Sequence, residues 1–68
     1  MDEEATNRAR RLVNFNSPGA SLKLTSGGTM YYVVDSNGER ISQNKTNAMK
    51  AWMSARQFLI DAGKYVSP

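Results

Sequence analysis

The chain has no cysteine and no histidine among its 68 residues. Disulfide bonds and metal sites built from thiolate or imidazole ligands are therefore excluded, and so is catalysis by a Cys or His side chain. A single hydrophobic core in a chain of this length contributes only about 3–5 kcal/mol of net stability. Stabilisation beyond that core has to come from close packing or from association with a partner.

Long apolar runs are also missing. No stretch approaches the roughly 18 consecutive apolar residues of a membrane-spanning helix, and the N-terminus is acidic instead of a basic segment leading into a hydrophobic one. We therefore expect a soluble, cytoplasmic protein with no membrane partner. The net charge is +3 and the isoelectric point is about 9.6, a mildly basic balance that suits an anionic partner.

The six carboxylates do not form a pattern typical of a catalytic site. Each has a local structural explanation, at a helix N-terminus, in a turn, at a strand end or on a solvated helix face, and none pairs with another as general acid and base. Without Cys or His, a nucleophile needs a Lys or carboxylate base in a pocket, and a small domain with a filled core has little room for one. The sequence predicts a non-enzymatic protein with no catalytic residue, no metal and no cofactor.

Residues 1–14 are predicted to form an N-terminal helix. Acidic residues at positions 2–4 and arginines near the end both complement the helix dipole. Those arginines also fit a role as phosphate contacts, and the sequence leaves both explanations open. A cluster of turn-forming residues follows over 14–19, and Phe15 within it is predicted to fill the core.

Two turns fix the register of a predicted three-stranded antiparallel sheet over residues 20–43. The first is a Gly-Gly pair at 27–28, which suits the positive φ values of a primed hairpin turn and pairs Leu24 with Tyr31. The second is Asp-Ser-Asn-Gly at 35–38, which fits a type I turn closed by a bulged glycine. Together they turn five apolar side chains to one face: Leu22, Leu24, Tyr31, Val33 and Ile41.

The second turn has an alternative register. The bulged-glycine turn pairs Val33 with Ile41, whereas a tight Asn-Gly turn at 37–38 pairs Val34 with Ile41 and moves Lys23 into the core. Because burial of an unpaired ammonium group is unfavourable, the sequence favours the bulged-glycine register.

Residues 46–63 are predicted to form an amphipathic C-terminal helix. It begins near Thr46, with Asn44 as a competing cap, and ends at Gly63, whose missing Cβ suits the left-handed position after a helix. Its apolar residues recur at spacings of three and four and place one stripe against the sheet. They are Ala48, Trp52, Ala55, Leu59 and Ala62, with Ala51 and Phe58 beside them.

The expected architecture is a single α+β domain over residues 1–68 with the order α-β-β-β-α. A short N-terminal helix precedes a three-stranded antiparallel β-meander, and the C-terminal helix packs on one face of that sheet. Trp52 and Phe58 are predicted to fill the core between them.

A three-stranded sheet followed by a supporting helix, over residues 20–62, resembles the architecture of plant AP2 domains and integrase arm-binding domains. The resemblance implies a sheet that lies in the DNA major groove.

The face of the sheet that the helix leaves uncovered is the candidate binding site. Its centre is a cross-strand row of Lys23, Tyr32 and Arg40, here called the cationic row, which offers cations for phosphates and a ring for stacking. An ordinary solvated face, on which Lys and Arg stems cover a tyrosine, is the alternative. The leading hypothesis is a nucleic-acid-binding domain, with DNA expected rather than RNA. Its predicted contacts are Lys23, Thr25, Tyr32, Arg40 and Ser42 on the sheet and Arg8, Arg10 and Arg11 on the first helix.

Met49, Met53 and Ile60 form a second apolar strip on the C-terminal helix, here called the methionine shoulder, with Arg56 next to it. One explanation is that the first helix covers the shoulder with Leu12 and Val13. The other is a protein interface or homodimer contact, because methionine adapts to irregular surfaces. The alternative function is therefore a protein-binding regulator or inhibitor, such as an accessory protein of a mobile element, acting through this shoulder or a sheet edge.

Overall fold

The computed structural model describes residues 2–66, except for the side chain of Asp2. The elements follow the order α1 (Asp2–Asn16), β1 (Ser21–Leu24), β2 (Tyr31–Val34) and α2 (Ala48–Asp61). Both predicted helices form. The sheet has two antiparallel strands, so the fold is α-β-β-α and the predicted α-β-β-β-α order is wrong.

The register predicted from the first turn is confirmed. Leu22 lies across from Val33, and Lys23 lies across from Tyr32. The turn itself differs from the prediction, because only the second of its two glycines, Gly28, has a positive φ, of 69°. The amide of Gly28 donates to the carbonyl of Thr25 at 2.8 Å, so residues 26–29 form a four-residue loop in place of a tight two-residue turn.

The second turn is the predicted one. The amide of Gly38 donates to the carbonyl of Asp35 at 3.0 Å, and Gly38 has a φ of 84°. The Asp35 carboxylate fixes the turn by accepting from the amides of Asn37 at 2.9 Å and Glu39 at 3.0 Å. Beyond the turn, Val34 pairs with Arg40. That pairing is the predicted register and excludes the tight Asn-Gly alternative.

The predicted third strand does not form within the described residues, and the reason lies at Ser42. The segment makes two isolated bridges to β2, Val34 with Arg40 and Tyr31 with Lys45. The two bridges are three residues apart along β2, from Tyr31 to Val34, but five residues apart along the other segment, from Arg40 to Lys45. Residues 41–44 of that segment therefore bulge out of the pairing. The Ser42 hydroxyl accepts the Val33 amide at 2.7 Å. A side-chain acceptor has replaced a backbone carbonyl, which interrupts the ladder.

Helix α2 begins later than both predicted caps imply, by one residue for Thr46 and by three for Asn44. Asn47 is its N-cap, and its side chain accepts the amide of Lys50 at 2.8 Å, so the predictions of Thr46 and Asn44 as caps are wrong. The predicted stop is confirmed, because Gly63 has a φ of 72° and the amide of Lys64 donates to the carbonyl of Leu59 at 2.9 Å.

The core lies where α2 meets α1 on one side and the sheet on the other. Small alanines let α2 approach its neighbours closely, and Trp52, only 3% exposed, fills the space between them. The buried apolar cluster consists of Ala9, Val13, Ala20, Val33, Ile41, Ala51, Trp52, Ala55 and Leu59.

Three predicted core residues are on the surface instead. Phe15 is 57% exposed, Leu24 is 53% exposed and Phe58 is 46% exposed. Leu24 ends β1, and α2 contacts β2 more extensively than β1, so the helix leaves that end uncovered. In the opposite sense, strand alternation predicts that Val34 shares the open face with Tyr32, but Val34 is only 7% exposed.

Candidate nucleic-acid interface

The structure brings the three residues of the cationic row together. Lys23 pairs with Tyr32 across the two strands, and the guanidinium carbon of Arg40 lies 4.0 Å from the centroid of the Tyr32 ring. Arg40 reaches the ring because it pairs with Val34, whose side chain shares a face with that of Tyr32. Lys23 and Arg40 are exposed and Tyr32 is half-buried, so the row presents two cations around a partly covered ring.

Asn44 orients the Arg40 guanidinium, a role that the sequence did not indicate. Nη1 of Arg40 donates to Oδ1 of Asn44 at 2.6 Å. A guanidinium carries five N–H donors in one plane, so this bond uses one donor and leaves four that it does not use. The ring below and the amide at the side together hold the guanidinium plane. The sequence suggested a helix cap for Asn44, and only the bulge at 41–44 brings it back toward Arg40.

The two predicted hydroxyl contacts have different surroundings. Thr25 is half-buried just beyond β1, where its Oγ1 accepts the amide of Met30 at 3.4 Å. Ser42 is only 8% exposed; its hydroxyl accepts from Val33 and donates to the carbonyl of Gln43 at 3.1 Å. The prediction that Ser42 lies on the open face is therefore wrong, and Ser42 shapes the bulge instead of offering a contact.

The three predicted arginines on α1 are exposed but belong to another part of the surface. Arg8, Arg10 and Arg11 lie on a helix that packs against α2. Arg8 lines a shallow groove between the helices, together with Met53 and Arg56. Within residues 3–66, no hydrogen bond or ring contact joins these arginines to the cationic row. Their prediction as phosphate contacts gains no support from position.

The methionine shoulder is partly covered by α1. Val13 is completely buried, whereas Met53 is 48% exposed and Ile60 is 39% exposed. Met49 is half-buried. Arg56 turns to the C-terminal segment, where its Nε donates to the Tyr65 hydroxyl at 3.3 Å. The first explanation therefore holds in part, because α1 packs beside the shoulder and leaves an apolar strip open, and the interface explanation stays a prediction.

Comparison with known proteins adds no relative. No family model, no curated protein and no solved structure matches the chain. The three-stranded sheet on which the resemblance to AP2 and integrase arm-binding domains rested is not formed within residues 2–66. In the same part of the chain, no helix is both long and apolar enough to cross a bilayer.

Proposed function

We propose that the protein is a small non-enzymatic nucleic-acid-binding domain that uses the cationic row, with Thr25 at its edge. The observation that supports this function is the stack of Arg40 on Tyr32 at 4.0 Å. A guanidinium donates in a fixed plane to phosphate oxygens or to a guanine edge, and it also stacks on a base. Lys23 adds a mobile cation beside it, suited to a phosphate oxygen.

Holding the guanidinium in advance favours binding. A free arginine loses side-chain entropy when it is ordered at an interface, a cost of about 0.5–1.5 kcal/mol. Tyr32 and Asn44 already restrict Arg40 in the unbound protein, so less of that cost remains on binding. Phosphates and base edges occur in both DNA and RNA, and the expectation of DNA came from an architecture that the sheet lacks. The proposed ligand is therefore nucleic acid, either DNA or RNA.

The Arg40→Ala variant tests this proposal. We expect it to weaken binding to a fluorescein-labelled mixed-sequence oligonucleotide by about tenfold, in line with about 1–3 kcal/mol for a guanidinium at a base edge. Lys64→Ala removes the same charge from an exposed position outside the row and should weaken binding less. Fluorescence anisotropy at low salt measures both, after thermal melts show that both variants are folded. Equal losses would mean that net charge alone drives binding and would sink the proposal.

A second candidate is the protein-binding role. It is supported by the exposed apolar side chains Met53 and Ile60 on α2 and Leu24 at the end of β1. Within residues 2–66, the strand that ends at Leu24 pairs with β2 and with no other strand, and an unpaired strand edge is a template for strand addition. Sizing the purified protein over a range of concentrations separates the candidates, because self-association through these residues should depend on concentration.

A further inference from the structure

A groove runs beside Arg40, between residues 40–45 and the exposed side of α2. Its volume is about 590 Å³, within the range of about 300–1,000 Å³ typical of ligand sites. We call it the Arg40 groove. Its charged and large apolar lining residues are Arg40, Lys45, Lys50, Met53, Phe58 and Asp61.

The charge of this groove favours an anion. Three of its lining residues are cations and Asp61 is the one carboxylate, which leaves an excess of two positive charges. Lys50 lies in the first turn of α2, which holds no acidic residue. The N-terminus of a helix carries a partial positive charge, which disfavours a cation such as Lys50 there. A bound anion would offset that repulsion.

Phe58 supplies the second feature of the groove. Its ring was predicted to be buried, yet it is 46% exposed and lines the same groove as Arg40, Lys45 and Lys50. The bulged segment, which forms the other side of the groove, is fixed to α2. The amide of Gln43 donates to the Ser54 hydroxyl at 2.9 Å. An exposed aromatic ring next to Lys and Arg is the combination with which proteins stack unpaired bases and hold their phosphates.

Arg40 connects the groove to the cationic row, because it stacks on Tyr32 and also lines the groove. A ligand that occupies both must turn at Arg40, from the sheet face to the side of α2. In a duplex, neighbouring bases cover both faces of each interior base, so such a base cannot lie on Phe58, whereas the unpaired bases of a flexible single strand can. We infer that the Arg40 groove takes an unpaired nucleotide, with its base on Phe58 and its phosphates on Lys45 and Lys50. Resting on the proposed function, this inference makes single-stranded nucleic acid the ligand class.

The test compares a labelled oligodeoxythymidine of about 15 nucleotides with a hairpin duplex of similar charge. Wild-type protein should bind the single strand more tightly. Phe58→Ala should weaken binding to the single strand by about tenfold, the loss of one stacked base, and leave duplex binding unchanged. Phe15→Ala is the matched control, because Phe15 is the other exposed phenylalanine, at 57% against 46% for Phe58, and lies at the end of α1; this variant should bind as wild type does. Lys50→Gln should weaken binding more than Lys64→Gln, which removes a charge outside the groove.

The outcomes separate the inference from the proposed function. If Phe58→Ala binds the single strand as Phe15→Ala does, no base stacks in the groove and the inference fails, although loss of binding in Arg40→Ala would still support the cationic row. If wild-type protein binds neither oligonucleotide at low salt, the proposed function fails as well. If polyglutamate competes as well as the single strand, the groove holds an acidic peptide and the inference is overturned.

Discussion

Trp52→Ala is expected to unfold the protein at room temperature. Trp52 is 3% exposed and belongs to the buried cluster shared by both helices and the sheet. Removing a buried aromatic side chain costs about 3–5 kcal/mol in the free energy of unfolding, which matches the whole net stability of about 3–5 kcal/mol that a core of this size contributes. Far-UV circular dichroism should show a loss of helical signal at 25 °C and no cooperative melt.

Phe58→Ala is the matched control for this prediction. It also removes an aromatic ring from α2, but one that is 46% exposed, so its melting temperature should stay within a few degrees of the wild-type value. A cooperative melt for Trp52→Ala near the wild-type temperature would show that the core is not centred on Trp52.

A second large loss of stability is expected when a charge is placed on the buried side of α1, where that helix packs against α2. Val13 is 0% exposed, so Val13→Asp buries a carboxylate without a partner, and such a group costs several kcal/mol. Met53 is 48% exposed on the facing helix, and Met53→Asp leaves its carboxylate in contact with water. We expect Val13→Asp to be unfolded and Met53→Asp to melt close to wild type.

Thermal melting and sizing of both variants give the result. A folded Val13→Asp would contradict the packing of α1 against α2. If Met53→Asp stays folded but loses a dimer that the wild-type protein forms, the methionine shoulder is an interface and the protein-binding candidate gains direct support.

Local chemistry made the sheet register predictable and the third strand unpredictable. The turn at Asp35 is encoded by residues within four positions of each other, so its hydrogen bonds and the pairing of Val34 with Arg40 follow from sequence. The bulge depends on whether the amide of Val33 meets a backbone carbonyl or the Ser42 hydroxyl. A side-chain hydroxyl competes with the backbone carbonyl for that amide, and tertiary packing decides between the two.

The same bulge accounts for what was missed on α2 and at the site. Phe58 lines one groove with Arg40, Ser42 and Gln43, residues that were predicted to lie in the third strand, and its ring is 46% exposed. The alignment of Lys23 with Tyr32 needed only the first hairpin and was predictable. The hydrogen bond from Arg40 to Asn44 exists because the chain turns back after Ser42, which no periodicity in the sequence signals.

The most direct measurement is an anisotropy titration of wild-type protein against the labelled single strand at several salt concentrations, repeated with the Lys23→Ala, Arg40→Ala double variant. Binding at low salt that weakens as salt rises is the predicted result. The slope of log K against log salt should be about −2 to −3, the value for a few phosphate contacts, and it should become shallower in the double variant. Absence of binding at low salt, or an unchanged slope and affinity in the double variant, would contradict a binding site at the cationic row.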